Sequence, residues 1–161
     1  MSDQIQKVTV LKASRERVWK AISEAKQFGA WFGVDFDGEF KPGAHMVGKM
    51  RPTQVDAEVA KRQEAYAGRK FEFWVESIEP MDRMTFHWHP YAIQPDVDYS
   101  KEPKTTIVFQ LEDVPGANAT KLTITESGFD QIPLSRRAEA FKMNTGGWEA
   151  QAKLIEKYVT R

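Results

Sequence analysis

Histidines are the residues of this chain whose spacing first suggests chemistry. The chain has three of them, His45, His87 and His89. The last two flank Trp88, and because side chains alternate between the two faces of a strand, their imidazoles would share one face. Two such imidazoles could ligate a metal ion, but no carboxylate stands at a spacing that would complete the set. The sequence therefore predicts no metal site and favours exposed or hydrogen-bonded histidines.

The same stretch predicts which side chains face the interior. Met84, Phe86 and Trp88 alternate with the histidines. Because the more apolar set of an alternating strand gains more from burial, we expect these three side chains to point inward and His87 and His89 to point away.

A glutamate at the end of the last predicted strand is the second candidate. Glu126 is in phase with Leu122 and Ile124, so it should point inward, where an ionised carboxylate needs a partner. Arg51, Arg83 and the hydroxyl groups of threonine or tyrosine are the candidate partners. A structural ion pair is favoured over general acid–base catalysis, for which Glu126 is nevertheless the candidate residue. The sequence contains no nucleophile elbow, P-loop or dinucleotide-binding glycine motif,.

Composition limits the class of protein. The chain has 161 residues, of which 41 % are hydrophobic, with ten Phe and five Trp, and this predicts a single domain, 1–161, with a buried core. Twenty-three basic residues balance twenty-three acidic ones, so neither nucleic acid nor a membrane is expected as a partner. There is no cysteine, and the first residues lack the features of a secretory signal. We therefore expect a cytoplasmic protein without a cofactor.

Turn signals divide the chain into a strand, two helices, six strands and one long helix. Ser14 can cap the first helix, and Pro-Gly pairs at 42–43 and 115–116 mark turns,. The polar stretch 52–70 is predicted as an inserted loop or short surface helix, and 89–104 as a long loop. Six strands joined by hairpins favour an antiparallel sheet with one face covered by the long helix. The predicted strands are 5–11, 35–40, 44–50, 71–78, 83–89, 105–111 and 120–126, and the later helices are 25–32 and 134–159.

The long helix carries a core-facing stripe and, near its middle, a pair of glycines. Gly146 and Gly147 each cost roughly 1 kcal/mol relative to alanine within a helix. We therefore expect either that the helix is kinked beside Trp148, or that a strand or a ligand closely approaches its backbone there. The stripe at helical spacing consists of Leu134, Ala138, Phe141, Thr145, Trp148, Ala152, Ile155 and Val159,.

A second, weaker apolar stripe on this helix bears on assembly. It consists of Met143, Gly147, Ala150, Leu154 and Tyr158. A soluble monomer seldom exposes such a row. Either the sheet wraps far enough to bury it, which we favour, or a second subunit covers it. The sequence is therefore compatible with either a monomer or a weak homodimer.

Short motifs are spread over nearly the whole chain. They are Ala13, Arg17-Val18-Trp19, Ile22, Trp31-Phe32, Pro42-Gly43, Thr85-Phe86-His87-Trp88, Thr125-Glu126-Ser127-Gly128-Phe129 and Gly147-Trp148. In this order they resemble the START-like helix-grip superfamily, also called SRPBCC. Within it the chain is most similar to the family named for the C-terminal domain of the activator of the heat-shock protein 90 ATPase.

This resemblance implies an α+β helix-grip fold. It consists of an antiparallel curved sheet of about seven strands, in the order β-α-α-β6-α, wrapped around a long C-terminal helix. It also implies a hydrophobic cavity between sheet and helix. Members of the superfamily include lipid and polyketide binders, cyclases and co-chaperones.

The excess of aromatic residues and the family resemblance together lead to three hypotheses about function, of which the second and third are implied by the resemblance. The first is binding of a small hydrophobic or aromatic molecule between sheet and helix, against an ordinary filled core. The second is an enzyme that acts on an aromatic or polyketide-like substrate by proton transfer, with Glu126 or a histidine as the base. The third is a chaperone-associated interaction module, although we expect the separate N-terminal domain of co-chaperone members to be missing. The predicted pocket lining is Trp31, Phe32, Phe36, Met46, Trp74, Trp88, Phe129 and Trp148.

Overall fold

The structure is a computed structural model that describes residues 3–94 and 96–161. Its helices and strands follow the predicted order. The structure also contains two 3-10 turns, at Glu64–Tyr66 and Phe129–Gln131. The elements are β1 (Gln4–Leu11), α1 (Arg15–Ser23), α2 (Ala25–Phe32), β2 (Val34–Phe36), β3 (His45–Met50), α3 (Ala57–Gln63), β4 (Lys70–Glu79), β5 (Arg83–Trp88), β6 (Thr105–Asp113), β7 (Thr120–Ser127) and α4 (Leu134–Val159).

The strands form one antiparallel sheet in the order β1-β7-β6-β5-β4-β3-β2. The first strand pairs with the last, and the remaining strands pair with their sequence neighbours. A register shift between Val75 and Ser77 marks a bulge in β4, and such bulges increase the local bend of a strand. The predicted fold class, an α+β helix-grip fold with a curved antiparallel sheet and a long C-terminal helix, is confirmed.

Local signals in the sequence account for the helix boundaries. The hydroxyl of Ser14 accepts a hydrogen bond from the backbone N–H of Arg17 at the start of α1, and the carboxylate of Asp56 does the same for two backbone N–H groups of α3,. The helix α2 ends at Gly33, whose φ of 97° favours glycine,. The predicted short surface helix within 52–70 is α3. The strand predicted for 35–40 is shorter, since only Val34–Phe36 pair with β3.

The predicted stripe of α4 is buried only over its second half. Trp148 and Ile155 are buried, together with Ala152 and Val159. Leu134, in contrast, is 80 % exposed. The stripe prediction was wrong for the first two turns, because there the helix packs against the loop after β5 and the Phe129 turn rather than across the sheet.

The glycine pair in α4 does not mark a close approach. A Cβ atom built on either Gly146 or Gly147 would meet no atom within 4 Å. The expectation of a tightly packed strand at the backbone was therefore wrong, and neither glycine is required by packing within the protein.

Replacing Gly147 by alanine is expected to raise the free energy of unfolding by roughly 0.5–1 kcal/mol, because alanine loses less backbone entropy in a helix. Chemical denaturation measures this change. The matched control is Gly29→Ala in α2, where the new Cβ would collide with the carbonyl oxygen of Val34, so this variant should be destabilised. Destabilisation by Gly147→Ala as well would show that α4 needs glycine there.

The second stripe of α4 is covered in part by the chain itself. Leu154 and Tyr158 are buried, and the guanidinium of Arg17 lies 4.7 Å from the centre of the Tyr158 ring. Met143 and Ala150 remain exposed. Wrapping by the same chain therefore buries the C-terminal half of the stripe.

None of the helices in the described ranges is both long and apolar enough to cross a membrane.

Candidate ligand-binding site

A cavity of ≈ 530 Å³ lies between α2, β4, β5, the loop after β5 and α4. It is bounded on one side by the curved sheet and on the other by the long helix, and the loop forms its roof. Its lining is Phe32, Met50, Tyr66, Arg69, Lys70, Phe71, Glu72, Trp88, His89, Tyr91, Ala92, Ile93, Gln94, Val97, Asp98, Tyr99, Ser100, Asn144 and Gln151.

Three rings from three elements form the aromatic wall of this cavity. The ring centre of Phe71 lies 5.4 Å from that of Phe32 and 5.8 Å from that of Trp88. Trp148 stacks behind Trp88, with ring centres 5.4 Å apart and planes inclined by 16°. Aromatic pairs at these distances add to the stability given by burial, so the wall is held rigidly against the core.

Behind this wall lies a fully buried carboxylate. One oxygen of Glu126 accepts hydrogen bonds from Trp88 Nε1 at 2.7 Å and Thr105 Oγ1 at 2.5 Å. The other accepts from Trp148 Nε1 at 2.8 Å and Asn144 Nδ2 at 2.9 Å. All four partners are donors, which matches a carboxylate that can only accept.

The expectation of an ion pair at Glu126 was wrong, although its inward orientation and a threonine partner are confirmed. Arg83 pairs with Glu79 at 2.6 Å instead, and Arg51 lies beside α2 in another groove. Neutral donors satisfy the carboxylate, since two indole N–H groups and one amide reach it from β5 and α4. Asn144 and Trp148 are four residues apart on one helix face, and this spacing is the signal that could have identified them.

This network fixes two side chains that line the cavity. Trp88 and Asn144 both face the cavity and both donate to Glu126. Glu126 itself is fully buried and does not line the cavity. Its role in the geometry is therefore to position the wall and to tie α4 to the sheet.

The roof of the cavity is held by Arg136 of α4. Its guanidinium donates to the carbonyl oxygens of Pro90 and Tyr91 at 3.1 and 3.2 Å and to the Glu102 carboxylate at 2.7 Å. It also lies 4.7 Å from the centre of the Tyr99 ring. One side chain thus joins both ends of the loop to the helix, so the loop after β5 is ordered by contacts and not by secondary structure.

Replacing Arg136 by glutamine is expected to release this loop. Amide hydrogen exchange over 92–94 and 96–100 should accelerate roughly tenfold or more, because charge-assisted hydrogen bonds contribute about 1.5–3 kcal/mol each. Exchange in β6 and β7 should stay unchanged. The control is Arg137→Gln, since Arg137 donates to the carbonyl oxygens of Asp130 and Ile132 instead. Equal acceleration in both variants would contradict the assignment.

His89 lines the cavity, so the expectation that it points away was wrong; β5 ends at Trp88, and the alternation of the strand does not extend to His89. Burial lowers its pKa below the ordinary value of 6.5, and the positive charges of Lys104 and Arg136 act in the same direction, while Glu72 and Glu102 oppose them,. Between this lowered pKa and 6.5 the unfolded chain therefore binds a proton that the folded chain does not.

The wild-type protein is accordingly expected to lose stability as the pH falls from above 6.5 through the lowered pKa of His89, relative to His89→Gln. Denaturation of both proteins at pH 7.5 and pH 5.5 measures this difference. An identical pH dependence in the two proteins would show that His89 is as readily protonated in the folded state as in the unfolded state.

The other histidines lie away from the cavity. His87 contacts Glu76 at 2.7 Å on the outer face of the sheet, which is the outward orientation predicted from its alternation with Phe86 and Trp88. His45 contacts Glu72 at 2.7 Å. In the ranges 3–94 and 96–161, no three His, Asp or Glu side chains are grouped so that they could hold a metal ion.

The structure brings only part of the predicted pocket set together. Phe32 and Trp88 line the cavity, and Trp148 lies directly behind Trp88. The remaining inward-facing residues fill the core or a neighbouring groove: Trp31, Met46 and Phe129 are buried, and Phe36 is half-buried beside Phe40.

The placement of Trp74 in the pocket has to be corrected. Its ring stacks on His45 with centres 4.4 Å apart, and the Lys104 ammonium lies 4.3 Å from its centre. Both contacts are on the outer face of the sheet. The reason is alternation along β4, which places Phe73 in the core and therefore its neighbour Trp74 outside,.

Several lining residues were not identified from the sequence. Phe71 is in phase with Phe73 along β4. Asn144 and Gln151 are seven residues apart and therefore lie on the same face of α4, with Trp148 between them. These periodicities could have found them. Tyr91 and Tyr99 lie on the loop, where the sequence has no period that predicts orientation.

The family model described as Activator of Hsp90 ATPase homolog 1-like protein matches residues 12–160. Comparison with curated proteins finds no match.

Solved structures share the fold over the whole chain. DynU16, a protein from the dynemicin biosynthetic locus, is 21 % identical with a TM-score of 0.69, and the match covers 99 % of this chain but 48 % of DynU16. This chain thus spans about half the length of that protein. Protein MLL2253 from Mesorhizobium loti is 16 % identical with a TM-score of 0.69, covering 98 % of this chain and 97 % of its own. A protein from Bordetella parapertussis is 19 % identical with a TM-score of 0.68, covering 100 % and 77 %. At these identities the likeness shows the fold alone.

Proposed function

Because this chain belongs to the family of Activator of Hsp90 ATPase homolog 1-like proteins, we propose that it uses the cavity between its sheet and α4 to bind a small hydrophobic or aromatic molecule. The fold supplies the space between two layers, and the residues of this chain supply the chemistry of the walls.

The observation that carries this proposal is the cavity itself. Its volume of ≈ 530 Å³ lies within the range of roughly 300–1,000 Å³ that is usual for small-molecule sites. Phe32, Phe71 and Trp88 give it flat apolar walls, while Asn144 and Gln151 place polar groups among them. The lining also contains the charged residues Arg69, Lys70, Glu72 and Asp98. Flat apolar walls among polar side chains favour an aromatic ligand that carries polar groups and takes a defined orientation.

A titration with N-phenyl-1-naphthylamine tests the proposal through tryptophan emission. Saturable quenching is expected, because Trp88 lines the cavity. The matched variants are Trp88→Phe, which should lose most of the quenching, and Trp74→Phe, which removes an indole from the outer face and should retain it. Quenching that is absent, or that disappears with Trp74→Phe, would contradict the proposal.

Proton transfer with Glu126 as the base is the second candidate function. It is less well supported for two reasons. Both oxygens of Glu126 already accept hydrogen bonds, and two of the donors, Trp88 and Asn144, lie between Glu126 and the cavity. A base must reach the proton it removes within hydrogen-bond distance. If a substrate is found, unchanged turnover in Glu126→Gln removes this candidate.

A further inference from the structure

Arg69 lines the cavity as a cation without a counter-ion. In the described ranges no Asp or Glu side chain pairs with it, whereas Lys70 pairs with Glu72 at 3.6 Å and Arg136 pairs with Glu102 at 2.7 Å. Arg69 is half-buried, so water screens its charge only in part. A bound anion would therefore be stabilised beside this guanidinium.

Contacts with two other lining residues place the guanidinium at the cavity. Its Nη1 donates to the carbonyl oxygen of Ile93 in the roof at 3.2 Å, and its central carbon lies 4.9 Å from the centre of the Tyr66 ring. The guanidinium therefore lies between the roof and Tyr66. Arginine has five N–H donors, and the edge formed by Nε and Nη2 has no acceptor among the described residues.

The aromatic wall of the cavity follows directly after this cation along β4. The carbonyl oxygen of Arg69 accepts from the backbone N–H of Met50 at 2.7 Å, so the pairing of β4 with β3 extends to Arg69. Because side chains alternate along a paired strand, Arg69 projects to the same side of the sheet as Phe71. Side chains two residues apart are about 7 Å apart along a strand, so one ligand can contact the Phe71 ring and the guanidinium together.

Two carboxylates also line the cavity, and neither pairs with Arg69. Glu72 pairs with Lys70 instead. Asp98 is exposed on the roof, where it accepts a hydrogen bond from the backbone N–H of Ser100 at 2.9 Å. The charge of Glu72 is thus balanced within the protein and that of Asp98 is screened by water, so neither compensates the charge of Arg69.

We propose that the cavity selects aromatic molecules that carry a carboxylate, whose two oxygens accept hydrogen bonds from Nε and Nη2 of Arg69 while the ring lies against Phe71. This inference rests on the proposed binding function and specifies the ligand class. The planar guanidinium matches the two oxygens of a carboxylate, and charge-assisted pairs are stronger than hydrogen bonds between neutral groups. A neutral ligand of the same shape does not gain this pair.

Two probes of the same shape test the inference, 2-naphthoate and 2-naphthamide. They differ in one terminal group, which is an ionised carboxylate in the first probe at pH 7.5 and a neutral amide in the second. Wild-type protein is expected to bind the naphthoate about tenfold more tightly, the ratio for one charge-assisted contact at a half-buried site. Calorimetric titration of each probe gives the two dissociation constants.

Substitutions assign the preference to a residue. Arg69→Gln removes the charge and keeps a polar side chain, so the two probes should bind about equally, with the affinity for the naphthamide nearly unchanged. Arg69→Lys keeps the charge but loses the paired donors, so part of the preference should remain. Arg62→Gln is the matched control, because Arg62 is exposed on α3 and does not line the cavity. It changes the net charge equally, and the full preference should remain.

The outcomes separate the inference from the proposed function. Equal binding of the two probes to wild-type protein, or tighter binding of the naphthamide, overturns the carboxylate selection and leaves the binding function standing. Saturable binding of N-phenyl-1-naphthylamine without binding of either naphthalene probe does the same. A preference that Arg69→Gln leaves unchanged, or that Arg62→Gln removes equally, overturns the assignment to Arg69. Binding of none of the three compounds overturns both proposals.

The comparison of the two probes in wild-type protein needs no variant. The inference can therefore be overturned even if Arg69→Gln does not fold.

Discussion

Replacing Glu126 by glutamine is expected to lower the free energy of unfolding by roughly 3 kcal/mol, a large effect for the exchange of one oxygen for an NH₂ group. Both carboxylate oxygens accept from indole N–H groups, Trp88 on one side and Trp148 on the other. The new amide nitrogen must face one of them, donor against donor. At least one buried N–H group is then left without an acceptor.

Chemical denaturation measures this loss, and the matched control is a surface carboxylate. Glu112 lies exposed on β6, 3.6 Å from Lys121, and Glu112→Gln should change stability by no more than about 0.5 kcal/mol. If Glu126→Gln is as stable as wild type, the network does not tie α4 to the sheet. If Glu126→Gln is more stable than wild type, the free-energy cost of burying the carboxylate exceeds the stabilisation that its hydrogen bonds from four donors provide.

Replacing Leu154 by lysine is expected to cost roughly 4 kcal/mol or more and to leave the molecular mass in solution unchanged. Leu154 is only 2 % exposed within the single chain. A lysine there must either bury its ammonium group without a partner or displace the C-terminal half of α4.

The same helix offers a control four residues earlier. Ala150 belongs to the same stripe and is exposed, so Ala150→Lys should alter stability by less than about 0.5 kcal/mol if the protein is a monomer. Denaturation and sedimentation equilibrium are measured for both variants. A dimer in the wild type that Ala150→Lys dissociates would show that a second subunit covers the exposed half of the stripe.

The architecture was largely predictable, because its signals are local. Ser14 and Gly33 delimit helices, and Pro-Gly pairs separate strands, so the order of elements could be determined without knowledge of packing. The boundaries 25–32 and 134–159 agree with α2 and α4. Family resemblance then supplied the arrangement of sheet and helix.

The candidate site was less predictable, because its residues come together from distant parts of the chain. Alternation placed Glu126 inside, but the indole and amide donors that satisfy it lie on β5 and α4. Charge complementarity suggested arginine partners, whereas neutral donors supply the hydrogen bonds. Sequence alone also does not show where a helix leaves the sheet, which is why Leu134 was assigned to the core.

The central claim is that the cavity between sheet and α4 binds small aromatic molecules, and the five indole N–H groups give the most direct measurement. In a ¹⁵N-labelled protein titrated with N-phenyl-1-naphthylamine, the signal of Trp88 should shift in a saturable way, followed by that of Trp148, which stacks on it at 5.4 Å. The signal of Trp19 should not move, because it lies on α1, which contributes no residue to the lining of the cavity. Saturable shifts confined to Trp74, or no shift of Trp88 at saturating probe, would contradict the account.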